Sequence, residues 1–225
     1  MDDIIRRITE AHVKYVDDAI VVGFKPRGFV SESGAASFPD ALREVLGIDA
    51  LYPVHRLDKD TSGLIVYART AKAAAELSNS IQQGSFYKAY RALLHGIPEP
   101  AEGTLTDFLF KDSRTGKVYT VKKERRGVRK AVLRYKLLNT FADPAAGEEQ
   151  VSLVRIVTET GRTHQIRVQF GSRRLPLLGD RRYGAGDDYP PVALCATELS
   201  FPHPLTGATL SFEIPFDYPA FNVLA

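Results

Sequence analysis

Residues 55–70 read HRLDKDTSGLIVYART, and the architecture of the chain follows from them. His55, Arg56, Asp58 and Asp60 crowd together just ahead of the segment SGLIVYART, whose core is apolar. A short apolar run bounded by turn-forming residues reads as a strand buried on both faces. Thr70 is a helix-capping residue, and AKAAAELSNSIQQG after it predicts a helix from Ala71 to about Gln83, stopped by Gly84. Loop, strand, cap and helix follow one another directly. The charged cluster is therefore delivered at the entrance of a buried strand.

Toward the N-terminus, AIVVGFK (residues 19–25) predicts another buried strand, ended by the turn residues Pro26 and Gly28. Ser37 then caps a short amphipathic helix, PDALREVLG, with Ala41, Leu42, Val45 and Leu46 on one face and Gly47 as its stop. Beyond Phe86 the pattern changes to strands: YKAYRALLHG, GTLTDFLF, GKVYTV, AVLRYKLLNTF and QVSLVRIVTE. Thr163 is placed to cap a further helix beginning at His164. Near the end, VALCATELSF and ATLSFEI flank HPLTG, a hairpin connection containing Pro204 and Gly207. No repeat or linker divides residues 1–225. The expectation is one α+β domain with a mixed, mostly antiparallel sheet flanked by helices and loops.

Composition narrows function by exclusion. The chain has 225 residues, a hydrophobic fraction of 44%, a charged fraction of 25% and a formal charge of +3, all ordinary for a globular protein. Charge is concentrated locally in KKERRGVRK at 122–130, where Lys122, Lys123, Arg125, Arg126, Arg129 and Lys130 face the single Glu124. Such a run suits phosphate binding, but it more commonly serves as a solvated strand edge. Cys195 is the only cysteine, so no intramolecular disulfide is possible and a reducing compartment is implied. The N-terminus has neither a signal core nor a span-length apolar stretch, which points to the cytoplasm and away from membranes. The five histidines form no close pair, and Walker, GxGxxG and GxSxG patterns are lacking. No metal, cofactor or obligate protein partner is called for.

Three segments carry candidate chemistry: HRLDKDTSGL (55–64), KAYRAL (88–93) and GRTHQIR (161–167). In the first, a carboxylate at a sheet end is able to act as nucleophile or base, or simply to accept backbone hydrogen bonds in a turn. In the third, Arg162, His164 and Arg167 are placed to hold a carboxylate ionised or to form surface ion pairs; His164 and Arg167 share a face if the capped helix exists. Tyr87 and Tyr90 are three apart on a predicted strand and face opposite ways, so one packs while the other is able to line a cleft.

Taken in order, VHRLDKDTSGLIVYART, YKAYRALLHG, TGRTHQIRV and LLGDRRYG resemble successive motifs of the RluA family of pseudouridine synthases. With KPRGF and LSFPHPLTGATLSFEIP added, the resemblance runs from about Lys25 to Phe216. It implies an enzyme that isomerises uridine in structured ribosomal or transfer RNA, without cofactor or metal. Asp58 would be the catalytic aspartate, Tyr90 the active-site tyrosine and Arg167 the aspartate's partner. Arg56 would fill the gap left when the target nucleotide is flipped out of its stack. His55, Arg162 and His164, with Lys122, Lys123, Arg125 and Arg126, are the expected RNA contacts. Gln169 replaces a common histidine, and Cys195 stands in LCATEL where LHA is usual, so local base contacts or RNA choice would differ. The chain leaves no room for an amino-terminal S4 domain, which puts the grip on RNA in the catalytic domain itself. Two other readings are an RNA-binding or RNA-folding protein without turnover, and a carboxylate hydrolase using Asp58 and Asp60. The second is disfavoured by the expectation that these two carboxylates, two residues apart on a strand, point apart.

Overall fold

The computed structural model describes residues 8–142, 150–187, 189 and 192–215; Phe216, the far end of the family resemblance, lies outside them. The described chain runs β1 (Val13–Val16), β2 (Ile20–Lys25), α1 (Phe38–Leu46), β3 (Tyr52–Pro53), β4 (Ser62–Ala68) and α2 (Ala71–Gln82). It continues through β5 (Tyr87–His95), β6 (Glu102–Lys111), β7 (Val118–Val121), β8 (Val128–Ala142) and β9 (Gln150–Thr158). The last elements are α3 (Gln165–Gly171), β10 (Leu194–Pro202) and β11 (Thr209–Glu213). Pairing is mostly antiparallel, with β10 running parallel to β4. No helix among the described residues is long and apolar enough to cross a membrane.

Two compact units emerge, one formed by residues up to Lys88 together with those from Cys195 onward, the other by Ala89–Leu194. In the first, strands lie in the order β1-β2-β4-β10, with β3 beside β4 and β11 beside β10. Every residue of β2 and β4 is buried, as their unbroken apolar runs require. One face packs Ile20, Val22, Leu64 and Val66 with Ala73 and Leu77 of α2 and with Phe201 of β10. At Gly23 of β2 a Cβ atom would meet the Phe38 ring at 3.0 Å, so the missing side chain lets α1 sit close. Both helix starts are capped as their sequences predict: Ser37 accepts from the Asp40 amide and Thr70 from the Ala73 amide, each at 3.1 Å.

The second unit orders its strands β5-β9-β8-β6-β7, all antiparallel. Val168 of α3 packs against Leu109, Val118 and Ala131. The start of α3 departs from the sequence expectation. Thr163 does not cap it; His164 is the N-cap, in a left-handed conformation at φ 51° and without a side-chain capping bond. The task passes to Gln165, whose side-chain oxygen accepts from the Arg162 amide at 3.0 Å while its nitrogen donates to the Val132 carbonyl at 3.0 Å. A tether to β8 replaces a local cap. His164 thus lies outside the helix and does not share a helical face with Arg167.

Candidate active site

Asp58 sits in the loop between β3 and β4, and its two neighbours are held from both sides. The Ser31 hydroxyl donates to the Leu57 carbonyl at 2.9 Å and accepts from the Leu57 amide at 3.0 Å. The Lys59 carbonyl accepts from the Gly28 amide at 2.9 Å and from Lys25 Nζ at 3.3 Å. The Asp58 carbonyl closes the turn by accepting from the Thr61 amide at 3.0 Å. A backbone fixed on either side of one carboxylate gives that carboxylate a defined place, which a free surface turn does not.

Lys25 organises this loop. It is completely buried, and Nζ also donates to the carbonyls of Phe29 at 2.8 Å and Pro26 at 3.1 Å. Burial drives its pKa down to about 7, against the pull of the Asp58 and Asp60 charges. Three carbonyl acceptors favour the ammonium form of the same group. In the sequence KPRGF reads as a strand turn, and the sign of a further role for Lys25 is its place at the close of an otherwise apolar buried strand.

Asp58 and Asp60 both precede β4, in the loop and turn, so strand geometry does not separate them. The expectation that they point apart for that reason fails doubly, because residues two apart on a strand share a face. Just beyond, Gly63 has φ 123°, and a Cβ there would lie 2.3 Å from the Ala196 carbonyl oxygen. Only glycine allows β10 to approach β4 at the register Gly63–Ala196.

Arg56 is exposed and pairs with Glu32 at 3.2 Å, so it remains able to swing into RNA. His55 is different. Its Nε2 accepts from the Val66 amide at 3.1 Å and its ring meets Phe86 edge-on at 5.3 Å. Burial first, and the Lys88 charge second, hold its pKa near 3. Through that bond the ring pins the β4 backbone at Val66.

In the second unit, Tyr90 of β5 is 8% exposed and lies opposite Ile156, while Tyr87, belonging to the first unit, is half-buried. Arg167 is buried in α3 and forms a two-pronged ion pair with Asp180: Nε to Oδ2 at 2.7 Å and Nη2 to Oδ1 at 2.8 Å. The Tyr183 ring lies 5.3 Å from its guanidinium. The Tyr183 hydroxyl accepts from the Val118 amide at 3.1 Å and meets His164 Nδ1 at 2.8 Å. Asp180 and Tyr183 belong to LLGDRRYG, where an acid and an aromatic three apart beside glycines are the sequence sign of their roles.

The run 122–126 is the exposed turn between β7 and β8, and Arg162 reaches the start of β8 beyond it, with Nε donating to the Lys130 carbonyl at 3.1 Å. Gln169, expected to alter base contacts, is fully buried and donates to the Leu105 carbonyl at 3.2 Å and to Asp107 at 2.7 Å. Cys195 is buried beside Ser62. Both substituted positions are packed within their own units. Among the described residues no cluster of three or more histidine, cysteine or acidic side chains is arranged to hold a metal ion.

Residues 19–172, which contain the Asp58 loop, Tyr90 and Arg167, match the family model described as RNA pseudouridylate synthase. The chain belongs to that family. Like its members, this RNA pseudouridine synthase is an isomerase. It is 31% identical to the uncharacterized RNA pseudouridine synthase YlyB of Bacillus subtilis, over 95% of this chain and 71% of that one. It is 33% identical to the ribosomal large subunit pseudouridine synthase D of Neisseria meningitidis, over 95% of this chain and 60% of the relative. The chain thus spans less than two thirds of the second relative's length. The human RNA pseudouridylate synthase domain containing proteins 1 and 4 share the pseudouridine synthase fold, each with a TM-score of 0.78. They are 23% and 22% identical and cover 94% and 99% of this chain, which spans 86% and 94% of them respectively.

Proposed function

We propose that this synthase isomerises uridine in structured ribosomal or transfer RNA, with Asp58 as the catalytic carboxylate. The observation that carries the reading is the clamp on the Asp58 loop: Leu57 held through Ser31, and Lys59 held through Gly28 and Lys25. Preorganised placement is what a group reacting with an extruded nucleotide needs. The reaction breaks the bond from ribose C1′ to N1 of uracil, rotates the base and forms a bond from C1′ to C5. The C5 proton leaves and N1 gains one, so atoms balance with no redox partner. Tyr90 stacks on the base and assists removal of the C5 proton. Arg167 is given the role its motif carries in the family, that of the catalytic aspartate's partner, and the pair with Asp180 orients its guanidinium. Arg56, exposed at the edge of the same loop, supplies the side chain that fills the vacated stack. The ribosomal alternative draws on the large-subunit substrate in the name of the Neisseria relative.

Pseudouridine mapping of total RNA, with and without the protein, tests activity and target together. Asp58→Asn is expected to abolish every protein-dependent site while RNA binding persists. Unchanged modification by purified Asp58→Asn would remove Asp58 from the mechanism. No protein-dependent site with the unaltered chain would favour an RNA-binding protein without turnover.

A further inference from the structure

The second unit carries two aromatic rings flanked by cations on the outward face of β6 and β7, leading to the basic turn assigned above. β6 and β7 pair with Phe110 opposite Tyr119 and Phe108 opposite Val121. Directly paired residues place their side chains on the same face of a sheet. The neighbouring positions Leu109 and Val118 take the other face, into the core with Val168 of α3. Phe110 and Tyr119 therefore stand side by side on the outward face, where Tyr119 is 43% exposed.

Each ring is matched to a cation. The Arg125 guanidinium lies 5.5 Å from the centre of Phe110, and Lys117 Nζ lies 5.7 Å from Tyr119. The same Lys117 Nζ is 5.9 Å from Tyr183, whose ring also carries the Arg167 guanidinium at 5.3 Å. On the outward face the order is thus Lys117, Tyr119, Phe110 and Arg125, ending at the exposed turn with Lys122, Lys123 and Arg126, whereas Tyr183 packs with Leu109, Val118 and Val168 on the other face. Between residues 117 and 130 the only acid is Glu124.

We infer that this outward face is a track for single-stranded RNA, the segment flanking the target uridine. The inference rests on the proposed reading of the chain as a synthase that acts on structured RNA. An exposed ring beside a half-buried one, between cations, answers the two chemical halves of a single strand: bases stack on the rings, and phosphates meet the lysines and arginines. A duplex hides its base faces and leaves Tyr119 without a partner. A protein partner docking by an apolar anchor would have to desolvate Lys117 and Arg125 to reach the rings.

The test uses the full chain, a fluorescent oligouridylate of about 12 nucleotides and a duplex of the same length, read by anisotropy. Loss of one base–aromatic stack is worth roughly tenfold in affinity, so Tyr119→Ala should weaken the single strand by about that factor and leave the duplex unchanged. Tyr119→Phe, which keeps the ring, should bind the single strand like the parent. Lys117→Ala should reduce the slope of log affinity against log salt by about 0.7, the share of one phosphate contact on a single strand. The inference is overturned if Tyr119→Ala binds the oligonucleotide as tightly as the parent, or loses duplex binding equally. Failure of the Asp58 reading would appear elsewhere, as persistent pseudouridine formation by Asp58→Asn, so the two failures are separable.

Discussion

Replacing Asp180 with asparagine probes the buried pair that holds Arg167. The Asp180 side chain is 0% exposed and that of Arg167 6%, with both prongs at 2.7–2.8 Å. Asparagine keeps the shape but removes the charge, and it turns a donor toward a guanidinium that itself only donates. Breaking a buried ion pair by removing one partner costs about 3–5 kcal/mol, because the remaining charge stays buried. For a chain of this size each kcal/mol shifts the melting temperature by about 2–4 °C, so a fall of about 6–20 °C is expected. Thermal unfolding followed by circular dichroism measures it. Turnover at a temperature where the variant is folded should also fall, since Arg167 loses the partner that orients it. A shift below about 2 °C would show that the pair is not desolvated as described and would refute the reasoning.

Gly63→Ala should be poorly tolerated, because the new Cβ meets the Ala196 backbone at 2.3 Å and the φ of 123° adds strain of about 1–3 kcal/mol; Gly23→Ala, which meets only side chains at 3.0 Å, should cost less. Urea midpoints of the two variants decide, and equal midpoints would argue against close approach of β4 and β10. His55 has a folded pKa near 3 and an ordinary value of 6.5, so the unfolded chain binds the extra proton in between. Its contribution to stability is complete above about pH 6.5 and is lost as pH falls toward 3; the stability of His55→Gln should fall less over that window, and parallel pH profiles would contradict this. Neutralising Lys122, Lys123, Arg125 and Arg126 together should weaken RNA binding and reduce the salt slope by about 3. An unchanged slope would make the β7–β8 turn a solvated edge only.

Local order along the chain was legible without coordinates wherever one physical signal dominated. The unbroken apolar runs of β2 and β4 announced strands buried on both faces, and Ser37 and Thr70 announced their helices by capping chemistry. Asp58 was a different case: its own neighbourhood suits a turn as well as a catalytic loop, and only the ordered motifs around it pointed to the chemistry. The family match over residues 19–172 bears out that membership.

What tertiary structure decided were partnerships between residues distant in sequence. His55 became a neutral support for Val66, Gln165 took the tether that Thr163 was expected to supply as a cap, and Asp180 emerged as a partner of Arg167. Periodicity and capping act within about one helical turn or one strand, so a single sequence displays them directly. Long-range hydrogen bonds and buried charges depend on which segments the fold brings together, and their energies are set by desolvation that no local pattern encodes. The sequence alone therefore determined the strand and helix segments and the family; the clamp around Asp58 and the two-pronged hold on Arg167 exist only once the chain has folded.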